Sequence, residues 1–333
     1  MIKKIKIIIT CLITIFIILQ VGCKKETAKN RELKKVTVIL DWVPNTNHTG
    51  LYVAKDKGFY NNEGLDVNII QPSAGGSADL IAAGQAEFGI SYQEQVTYAK
   101  TSKNPLPIKA IAAIIQHNTS GFASPLKKGI AAPKEFEGKV YGGWGSPIEI
   151  AMLKGLMKKY NADFNKLKLV DIGAADFFVS VEKDVDFTWI YYGWDGIAAE
   201  KRNFPINFIR LQDVDPMLDF YTPVIITSNT VIENNPELIK AFLRATSKGY
   251  NYSIKDPEVA VESLLKSAPE IDKDMAIASQ KYLAEEYSKG AARWGEMKAE
   301  IWTNFSKWMF NNGLLEKSLT VDEAFTNEFL PKK

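Results

Sequence analysis

The sequence predicts an α/β protein of two lobes, each a mostly parallel sheet flanked by helices. The chain has 333 residues, which is too long for one compact core and fits two lobes of ordinary size. From Val36 onward, short apolar runs alternate with amphipathic segments, and the same alternation resumes at Lys139. Strands that alternate with short helices indicate a mostly parallel sheet that is covered on both faces.

The two alternations predict the elements of the two lobes. For the first lobe, strands are expected at Val36–Leu40, Leu65–Ile70, Phe88–Tyr92 and Ile108–Ile115, and helices at Thr49–Phe59, Ser77–Ala83 and Glu94–Lys100. For the second lobe, strands are expected at Lys139–Gly143, Leu167–Ile172 and Asp186–Tyr191, and helices at Ile148–Tyr160 and Asp176–Glu182.

After the apolar run Thr222–Thr227, the remainder of the chain is predicted to be helical. Pro236 and Pro257 stand at expected first helical turns, and the helices are predicted at Leu238–Tyr250, Val259–Lys266, Lys273–Tyr287 and Gly295–Asn311. A strand followed only by helices indicates that the chain returns to finish its first lobe. We therefore expect lobe 1 at residues 36–122 and 226–330 and lobe 2 at 123–225, with crossings near Ser120–Pro125 and Tyr221–Ser228.

Residues 1–22 have the features of an export signal. Three lysines precede the apolar run Ile7–Ile18, which is followed by Val21-Gly22-Cys23. The run is shorter than the about 20 apolar residues of a membrane-spanning helix. Its end resembles a bacterial lipobox, although Gln20 stands where a leucine is usual. We expect lipidation of Cys23, a flexible tether over residues 23–35, and a protein anchored at the outer face of the cell membrane.

Composition excludes several classes of function. Removal of residues 1–22 takes away three lysines, so that 41 basic against 39 acidic residues become 38 against 39, which gives no electrostatic case for nucleic acid. Cys11 lies in the signal and Cys23 would carry lipid, so no disulfide or cysteine nucleophile is expected. Two histidines and no suggestive carboxylate spacing predict no metal site. No nucleotide-loop, dinucleotide or nucleophile-elbow motif appears, so we expect neither a cofactor nor catalysis.

The predicted strand ends carry aromatic and polar residues. In open α/β sheets, ligands bind beyond the carboxyl ends of the strands. Four such ends are Asp41–His48, Ser91–Gln95, Gly143–Ser146 and Tyr191–Asp195. Binding clefts also lie commonly between lobes, so we expect these segments to meet around one cleft.

The tryptophans divide between this cleft and the core. Trp42, Trp144 and Trp194 each adjoin Gly, Pro or a carboxylate at the start of a loop, and are expected to line the cleft. Trp189 lies inside a strand and is assigned mainly to packing. Trp302 and Trp308 are expected in the core.

Aromatic walls with a few polar groups suit a flat heteroaromatic ligand, because stacked faces supply affinity and hydrogen bonds supply orientation. Carboxylates accept from ring or exocyclic amines, and amides donate to ring nitrogens, which fits an amino-substituted ring. An oxyanion would favour arginine forks, but none of the five arginines falls at these strand ends. Gly75-Gly76-Ser77 is interpreted as a plain strand-to-helix turn rather than an anion cradle. The expected ligand-binding residues are Asp41, Trp42, Asn47, His48, Tyr92, Gln93, Glu94, Trp144, Gly145, Tyr191, Tyr192, Trp194, Asp195 and Tyr221.

Several of these segments resemble a known family. The segments are Asp41–His48, Gly58–Leu65, Gly89–Gln95 and Tyr141–Pro147. They resemble the ThiY-like proteins, which are bacterial binding lipoproteins that deliver thiamine pyrimidine precursors to ABC importers. They are also similar to the eukaryotic thiamine pyrimidine synthase of the same fold. The resemblance covers about Lys35 to Gly313.

The resemblance implies a type II periplasmic-binding-protein fold whose cleft holds a pyrimidine, with Trp42, His48 and Tyr92 on the family's motifs. It further implies permease and ATPase partners, and we expect a monomer. Relatives also bind flavins and sulfonates, so riboflavin or an alkyl sulfonate are alternative ligands. The synthase is the alternative from another class. Its cysteine cluster is replaced here by Leu218–Pro223, which argues against catalysis.

Overall fold

The computed structural model describes residues 32–72, 76–173 and 175–332, in which the strands form two sheets of five strands each. The strands are β1 (Lys34–Ile39), β2 (Leu65–Ile70), β3 (Phe88–Ser91), β4 (Ile108–Ala113), β5 (Ser120–Pro125), β6 (Val140–Gly143), β7 (Lys168–Asp171), β8 (Phe187–Tyr191), β9 (Ile206–Arg210) and β10 (Val224–Ser228). The helices are α1 (Thr49–Asp56), α2 (Phe59–Asn62), α3 (Ser77–Ala82), α4 (Gln93–Thr101), α5 (Pro147–Lys159), α6 (Phe177–Lys183), α7 (Ile197–Lys201), α8 (Leu211–Val214), α9 (Asn229–Asn234), α10 (Pro236–Lys255), α11 (Pro257–Leu265), α12 (Lys273–Glu286), α13 (Ala299–Asn311) and α14 (Val321–Ala324).

The first sheet has the strand order β2-β1-β3-β10-β4. Strand β3 runs parallel to β1, with Val38 opposite Phe88. Strand β10 is antiparallel to both of its neighbours, β3 and β4. The strand that follows the second sheet in the sequence therefore returns to the interior of the first sheet.

The second sheet has the order β7-β6-β8-β5-β9. Strand β6 is parallel to β7 and β8, whereas β5 is antiparallel to β8 and β9. The predicted α/β class with two helix-flanked sheets is confirmed. Each sheet is mixed because the chain enters it, or returns to it, by one antiparallel strand.

The strand bounds move the predicted lobe boundaries by a few residues. Strand β5 belongs wholly to the second sheet and β10 wholly to the first. The chain therefore crosses between the sheets at residues 114–119, just before the first expected crossing, and at residues 219–223, which overlap the start of the second. Residues 120–122 go with the second sheet, and residues 224 and 225 with the first.

Helix α13 does not belong to the first lobe alone, as the expected boundary at 226–330 would have it. Trp302 on this helix packs in a core cluster with first-sheet residues. Phe305 and Trp308 pack instead in the cluster of the second sheet, and Phe305 stacks on Phe220 with ring centroids 3.9 Å apart. The amphipathic helix thus buries parts of its apolar face against both cores.

Two glycines bring helix α1 against α10. A Cβ on Gly249 would lie 1.9 Å from the carbonyl oxygen of Gly50, which no side chain tolerates. This close approach places the hydroxyl of Tyr250 where it donates to the carbonyl oxygen of Asn47 at 2.7 Å. Tyr287, at the C-terminal end of α12, donates to the carbonyl oxygen of Thr46. The loop after β1 is therefore held from behind by two helices.

The N-terminal predictions lie outside the described residues. They are the signal at residues 1–22, lipidation of Cys23 and most of the tether. Among the residues that the structure does describe, no helix is both long and apolar enough to cross a membrane.

Candidate functional site

The carboxyl ends of β1, β3, β6 and β8 surround one cleft of about 990 Å³. Residues from both sheets line it, as the sequence predicts for a cleft between lobes. The predicted site residues on its wall are Asp41, Trp42, Asn47, Tyr92, Glu94, Trp144, Tyr191, Trp194 and Asp195.

Asp41 is fixed by two hydrogen bonds at the end of β1. One carboxylate oxygen lies 2.6 Å from His48 Nε2, and the other accepts from the Tyr92 hydroxyl at 2.7 Å. The backbone N–H of Asn45 donates to His48 Nδ1 at 3.2 Å, so the ring proton is on Nε2 and points to Asp41. Burial alone would raise the pKa of Asp41, but the interactions with His48 and Tyr92 outweigh it and lower the pKa.

Glu94 lies on the cleft wall at the start of α4, and one of its carboxyl oxygens is unpaired. Its Oε2 is buried and has no hydrogen-bond partner among the described residues. Burial raises the pKa of Glu94 to about 8, because a desolvated carboxylate is disfavoured. The Glu94 carboxyl is therefore mostly protonated at neutral pH and can both donate and accept.

Asp195 is the second carboxyl of raised pKa. It lies in the π-helical turn Tyr192–Gly196 that follows β8, and burial raises its pKa to about 6, with a further contribution from Asp176. Asp176 also lines the cleft.

The cleft wall carries acidic but no basic side chains. Its carboxylate residues are Asp41, Glu94, Asp176 and Asp195, and no Lys, Arg or His is found among the described lining residues. The electrostatic field in the cleft therefore favours amines over anions.

Aromatic rings form much of the wall. Trp42 and Trp144 are 47% and 45% exposed, so their ring faces are accessible for stacking on a flat ligand. The Trp144 ring lies 5.6 Å from that of Trp189. Tyr191 and Trp194 continue this wall at the end of β8.

A buried glutamate shapes the loop that carries Trp144. Glu149 on α5 is 1% exposed and accepts from the backbone N–H of Ser146 at 2.8 Å and of Trp144 at 3.1 Å. The Tyr141 hydroxyl donates to the same carboxylate at 2.6 Å. The loop amides therefore face the protein's own carboxylate at the N-terminus of α5.

Five predicted residues do not line the cleft. His48 is fully buried and is bonded to two residues of the cleft wall, Asp41 and Asn45. Gln93 is also fully buried, and its Oε1 accepts from the backbone N–H of Tyr221. The Tyr221 hydroxyl in turn accepts from the backbone N–H of Lys298. Because Gln93 precedes Glu94 at a helix start, the two side chains leave in different directions, and only Glu94 faces the cleft.

Tyr192 and Gly145 are the other two. The Tyr192 ring packs on Phe208 and Tyr282, and its hydroxyl bonds to Glu200. The Tyr192 side chain points away from the cleft because side chains alternate along β8 and into the turn that follows. Gly145 has a φ of +78°, a left-handed conformation that favours glycine, and it allows the chain to turn between Trp144 and Ser146.

Sequence reasoning missed Tyr98 and Trp189, which both line the cleft. Tyr98 lies one helical turn after Glu94 on α4, so the i, i+4 spacing is a signal that could have found it. Trp189 lies two residues before Tyr191 on β8, on the same face of the strand. The assignment of Trp189 to packing holds only in part, since it is 8% exposed and belongs to the second core cluster as well as to the wall. Trp302 and Trp308 lie in the core as expected.

Comparison with known proteins gives the family and the fold. A family model described as NMT1/THI5 like matches residues 45–260. The formylaminopyrimidine-binding protein of Halalkalibacterium halodurans is 28% identical, over 98% of this chain and 99% of the relative. The 4-amino-5-hydroxymethyl-2-methylpyrimidine phosphate synthase of Legionella pneumophila is 24% identical, over 89% of this chain and 92% of the relative.

The solved structure of the periplasmic aliphatic sulphonate binding protein SsuA from Escherichia coli superposes with a TM-score of 0.67 at 13% identity, and the match covers 87% of this chain and 91% of that one. At this identity the likeness concerns the fold alone. It confirms the two-lobed periplasmic-binding-protein fold.

Proposed function

Because the chain belongs to the NMT1/THI5-like family, we propose that it is the solute-binding subunit of an ABC importer and captures an aminopyrimidine. A thiamine pyrimidine precursor, such as formylaminopyrimidine or hydroxymethylpyrimidine, is the ligand that this cleft fits best. The full-length relative named for formylaminopyrimidine binding supports the same choice.

The observation that carries the proposal is the unpaired, buried carboxyl oxygen of Glu94. A buried polar atom without a partner costs about 1–3 kcal/mol, and a ligand toward which the Glu94 side chain turns would remove that cost. A 4-aminopyrimidine offers a ring nitrogen beside an exocyclic amine. A protonated Glu94 donates to the ring nitrogen and accepts from the amine, which satisfies both of its oxygens.

The cleft walls fit the same ligand. Trp42 and Trp144 offer exposed ring faces for stacking on a flat heterocycle. Asp41 is anchored by His48 and Tyr92, so it stays in place while its remaining lone pairs face the cleft and accept from a second amine or hydroxyl.

The alternative ligands fit less well or need a larger site. An alkyl sulfonate would place a full negative charge among acidic side chains with no cation among the described lining residues, which is unfavourable. Riboflavin is the second candidate, because a cleft of about 990 Å³ lies at the upper end of the roughly 300–1,000 Å³ that small-molecule sites span.

We propose no catalytic step, although a synthase is among the relatives. The cysteine cluster of the eukaryotic synthase is replaced by Leu218–Pro223, and the proposed role requires only binding and closure. Prolonged incubation should return the ligand chemically unchanged, whereas a new product in the chromatogram would contradict a pure binding role.

Cys23 and the segment before it support anchoring by lipid at the outer face of the membrane. The partners would then be a permease and an ATPase that accept the loaded protein, with one copy of this chain serving each transporter. Labelling with a radioactive fatty acid in cells, and its loss in Cys23→Ala, would test the anchor.

Calorimetric titration of the purified protein with formylaminopyrimidine, hydroxymethylpyrimidine, riboflavin and an alkyl sulfonate tests the ligand. We expect the two aminopyrimidines to bind most tightly. Glu94→Leu removes both the donor and the acceptor, and should weaken aminopyrimidine binding about ten- to hundredfold, or 1.4–2.8 kcal/mol. Glu94→Gln, whose amide also donates and accepts, should weaken it less. The control is Glu316→Leu, at an exposed glutamate far from the cleft in the sequence, which should bind as the wild type does. Tight binding of riboflavin or the sulfonate without the aminopyrimidines would contradict the assignment.

A further inference from the structure

Glu149 on α5 is a buried carboxylate that accepts hydrogen bonds from the loop at the cleft wall. The residue is 1% exposed. Its Oε2 accepts from the backbone N–H of Ser146 at 2.8 Å and of Trp144 at 3.1 Å, and its Oε1 accepts from the Tyr141 hydroxyl at 2.6 Å. Burying a carboxylate is costly unless it is hydrogen-bonded, and these donors satisfy both of its oxygens.

Capping of the helix explains only part of this arrangement. Ser146 and Glu149 form a capping box, in which the glutamate side chain accepts from the N-cap backbone N–H. Glu135 makes the same kind of bond to the backbone N–H of Ala132 at 3.0 Å, and it does so at the surface. A cap therefore requires neither burial nor a bond to Trp144, and these two features of Glu149 concern the loop.

The loop backbone is packed tightly on the Glu149 carboxylate. A Cβ on Gly143 would lie 2.3 Å from Glu149 Oε1, so a side chain at this position would displace the carboxylate. Gly145, with its φ of +78°, turns the chain between the two amides that donate to Glu149. The backbone is therefore fixed on both sides of this turn, at Trp144 and at Ser146.

Trp144 is the side chain whose place depends on this loop. Gly143, Trp144 and Ser146 line the cleft, and the Trp144 ring, which adjoins that of Trp189 at 5.6 Å, is 45% exposed. A ring that is nearly half exposed has few neighbours to hold it. Because the allowed rotamers depend on the backbone dihedral angles, fixing the backbone of Trp144 restricts where its ring can lie.

We infer that Glu149 is a positioning residue for ligand binding, which holds the Trp144 ring at the cleft wall through the loop amides before the ligand arrives. The inference rests on the proposed function, in which Trp144 stacks on the heterocycle. A ring that is fixed in advance loses less freedom on binding, which raises the affinity. Glu149 is not among the described lining residues of the cleft, so it acts on the ligand through the loop.

A double-mutant cycle tests the inference. Glu149→Gln nearly preserves the shape, but its amide nitrogen donates and cannot accept from a loop N–H. Hydroxymethylpyrimidine is titrated into the full-length wild type, Glu149→Gln, Trp144→Ala and the double variant. We expect Glu149→Gln to weaken binding about three- to tenfold in the wild-type background, and less than about twofold when residue 144 is already alanine. The same loss in both backgrounds, or no loss in either, would overturn the inference.

Glu135→Gln is the matched control, because it changes a capping glutamate of the same lobe that lies at the surface. This variant should bind hydroxymethylpyrimidine as the wild type does. A loss of affinity equal to that of Glu149→Gln would show that any capping glutamate of this lobe has the same effect, and would overturn the inference.

A measurement without ligand separates this inference from the proposed function. In full-length protein labelled with fluorotryptophan, the ¹⁹F resonance of Trp144 is identified by its absence in Trp144→Phe. We expect this resonance to shift or broaden in Glu149→Gln, and to move less in Tyr141→Phe, which removes one donor to the carboxylate and keeps the ring. Glu135→Gln should leave it in place.

The two measurements have distinct outcomes. A Trp144 resonance that stays in place in both Glu149→Gln and Tyr141→Phe would overturn the inference, and Tyr141→Phe alone decides this if Glu149→Gln does not fold. If no aminopyrimidine binds the wild type while the resonance moves as expected, the proposed ligand is wrong, and the positioning of Trp144 by Glu149 is supported.

Discussion

Glu94 gives the cleft a group that changes charge near neutral pH. Burial raises its pKa to about 8 from the ordinary value of 4.5, so the folded protein retains a proton that the unfolded chain releases. The same burial that makes Glu94 a good partner for an aminopyrimidine therefore makes the empty protein sensitive to pH.

We predict that stability falls as the pH rises from about 5 to about 8. A group whose pKa is raised by folding binds more protons in the folded than in the unfolded state, so each pH unit in this window costs up to about 1.4 kcal/mol. Below the pKa of Glu94 in the unfolded chain, both states are protonated, and stability no longer depends on pH through this group. Urea unfolding at a series of pH values would measure the slope.

Glu94→Gln is the matched control for this pH dependence. In this variant, the free energy of unfolding should change little between pH 6 and 8. A smaller pH dependence should remain at lower pH, because the pKa of Asp195 is raised from 3.8 to about 6. Parallel curves for the variant and the wild type would contradict the assignment to Glu94.

At the residue scale, the sequence predicts which segments reach the cleft better than which side chains face it. Their places at strand ends predict Asp41, Trp42, Tyr92 and Trp144 as cleft residues, and these four line the cleft. Gln93 was also predicted, but it turns into the protein. Direction at a helix start depends on the packing of the whole element, and a single sequence does not contain that information.

At the scale of elements, α13 ties the two cores together. Its Trp302 belongs to a first-sheet cluster, and its Phe305 stacks on Phe220 in the second. The helical periodicity of this segment shows that one face is buried, but not against which partner. This is why the sequence could predict the helix and yet assign it to one lobe.

Phe305→Ala should destabilise the protein by about 3–5 kcal/mol, because a large buried ring leaves a cavity. Phe310→Ala lies on the same helix at a residue that is 43% exposed, and should change stability by no more than about 0.5 kcal/mol. Chemical denaturation of both variants checks the difference. Similar losses for the two would contradict the packing of α13 against the second core.

Strand prediction also failed where packing, not hydrophobic pattern, decides the element. The sequence predicts a crossing near Ser120–Pro125, where the structure has strand β5. The structure needs a glycine there, since a Cβ on Gly121 would lie 2.3 Å from the carbonyl oxygen of Ile209 on the adjacent β9. The close approach of two strands is a property of the sheet.

At the scale of the whole molecule, two crossings join the sheets, and they are bonded to one another. The backbone N–H of Asn118 donates to Asp219 at 2.9 Å, and His117 Nδ1 lies 2.7 Å from the other oxygen of the same carboxylate. Asn118 also donates through its side chain to the carbonyl oxygen of Leu218. Bonded crossings of this kind suit a hinge about which the lobes close as rigid bodies.

We predict that an aminopyrimidine closes the molecule. A ligand shifts the balance between open and closed states only by its extra affinity for the closed one, which here comes from contacts on both sheets. Small-angle X-ray scattering should show a smaller radius of gyration at saturating ligand. At 100 times the dissociation constant, the ligand should also stabilise the protein by about 2.7 kcal/mol.

Trp144→Ala removes a ring from the second-sheet wall and should leave the scattering near the open value at the same ligand concentration. Scattering of the wild type that does not respond to bound ligand would contradict closure, even if binding itself is tight.

The position of β10 has a consequence for the order in which the chain folds. Strands β5 to β9 come from one continuous stretch, residues 120–210, so every backbone pairing of the second sheet can form once that stretch exists. The first sheet must wait, because β10 pairs with β3 and β4 from more than a hundred residues away in the sequence, and contacts of such separation form slowly. We therefore expect the first sheet, whose strand ends carry Asp41 and Glu94, to complete its pairings after the second sheet has done so.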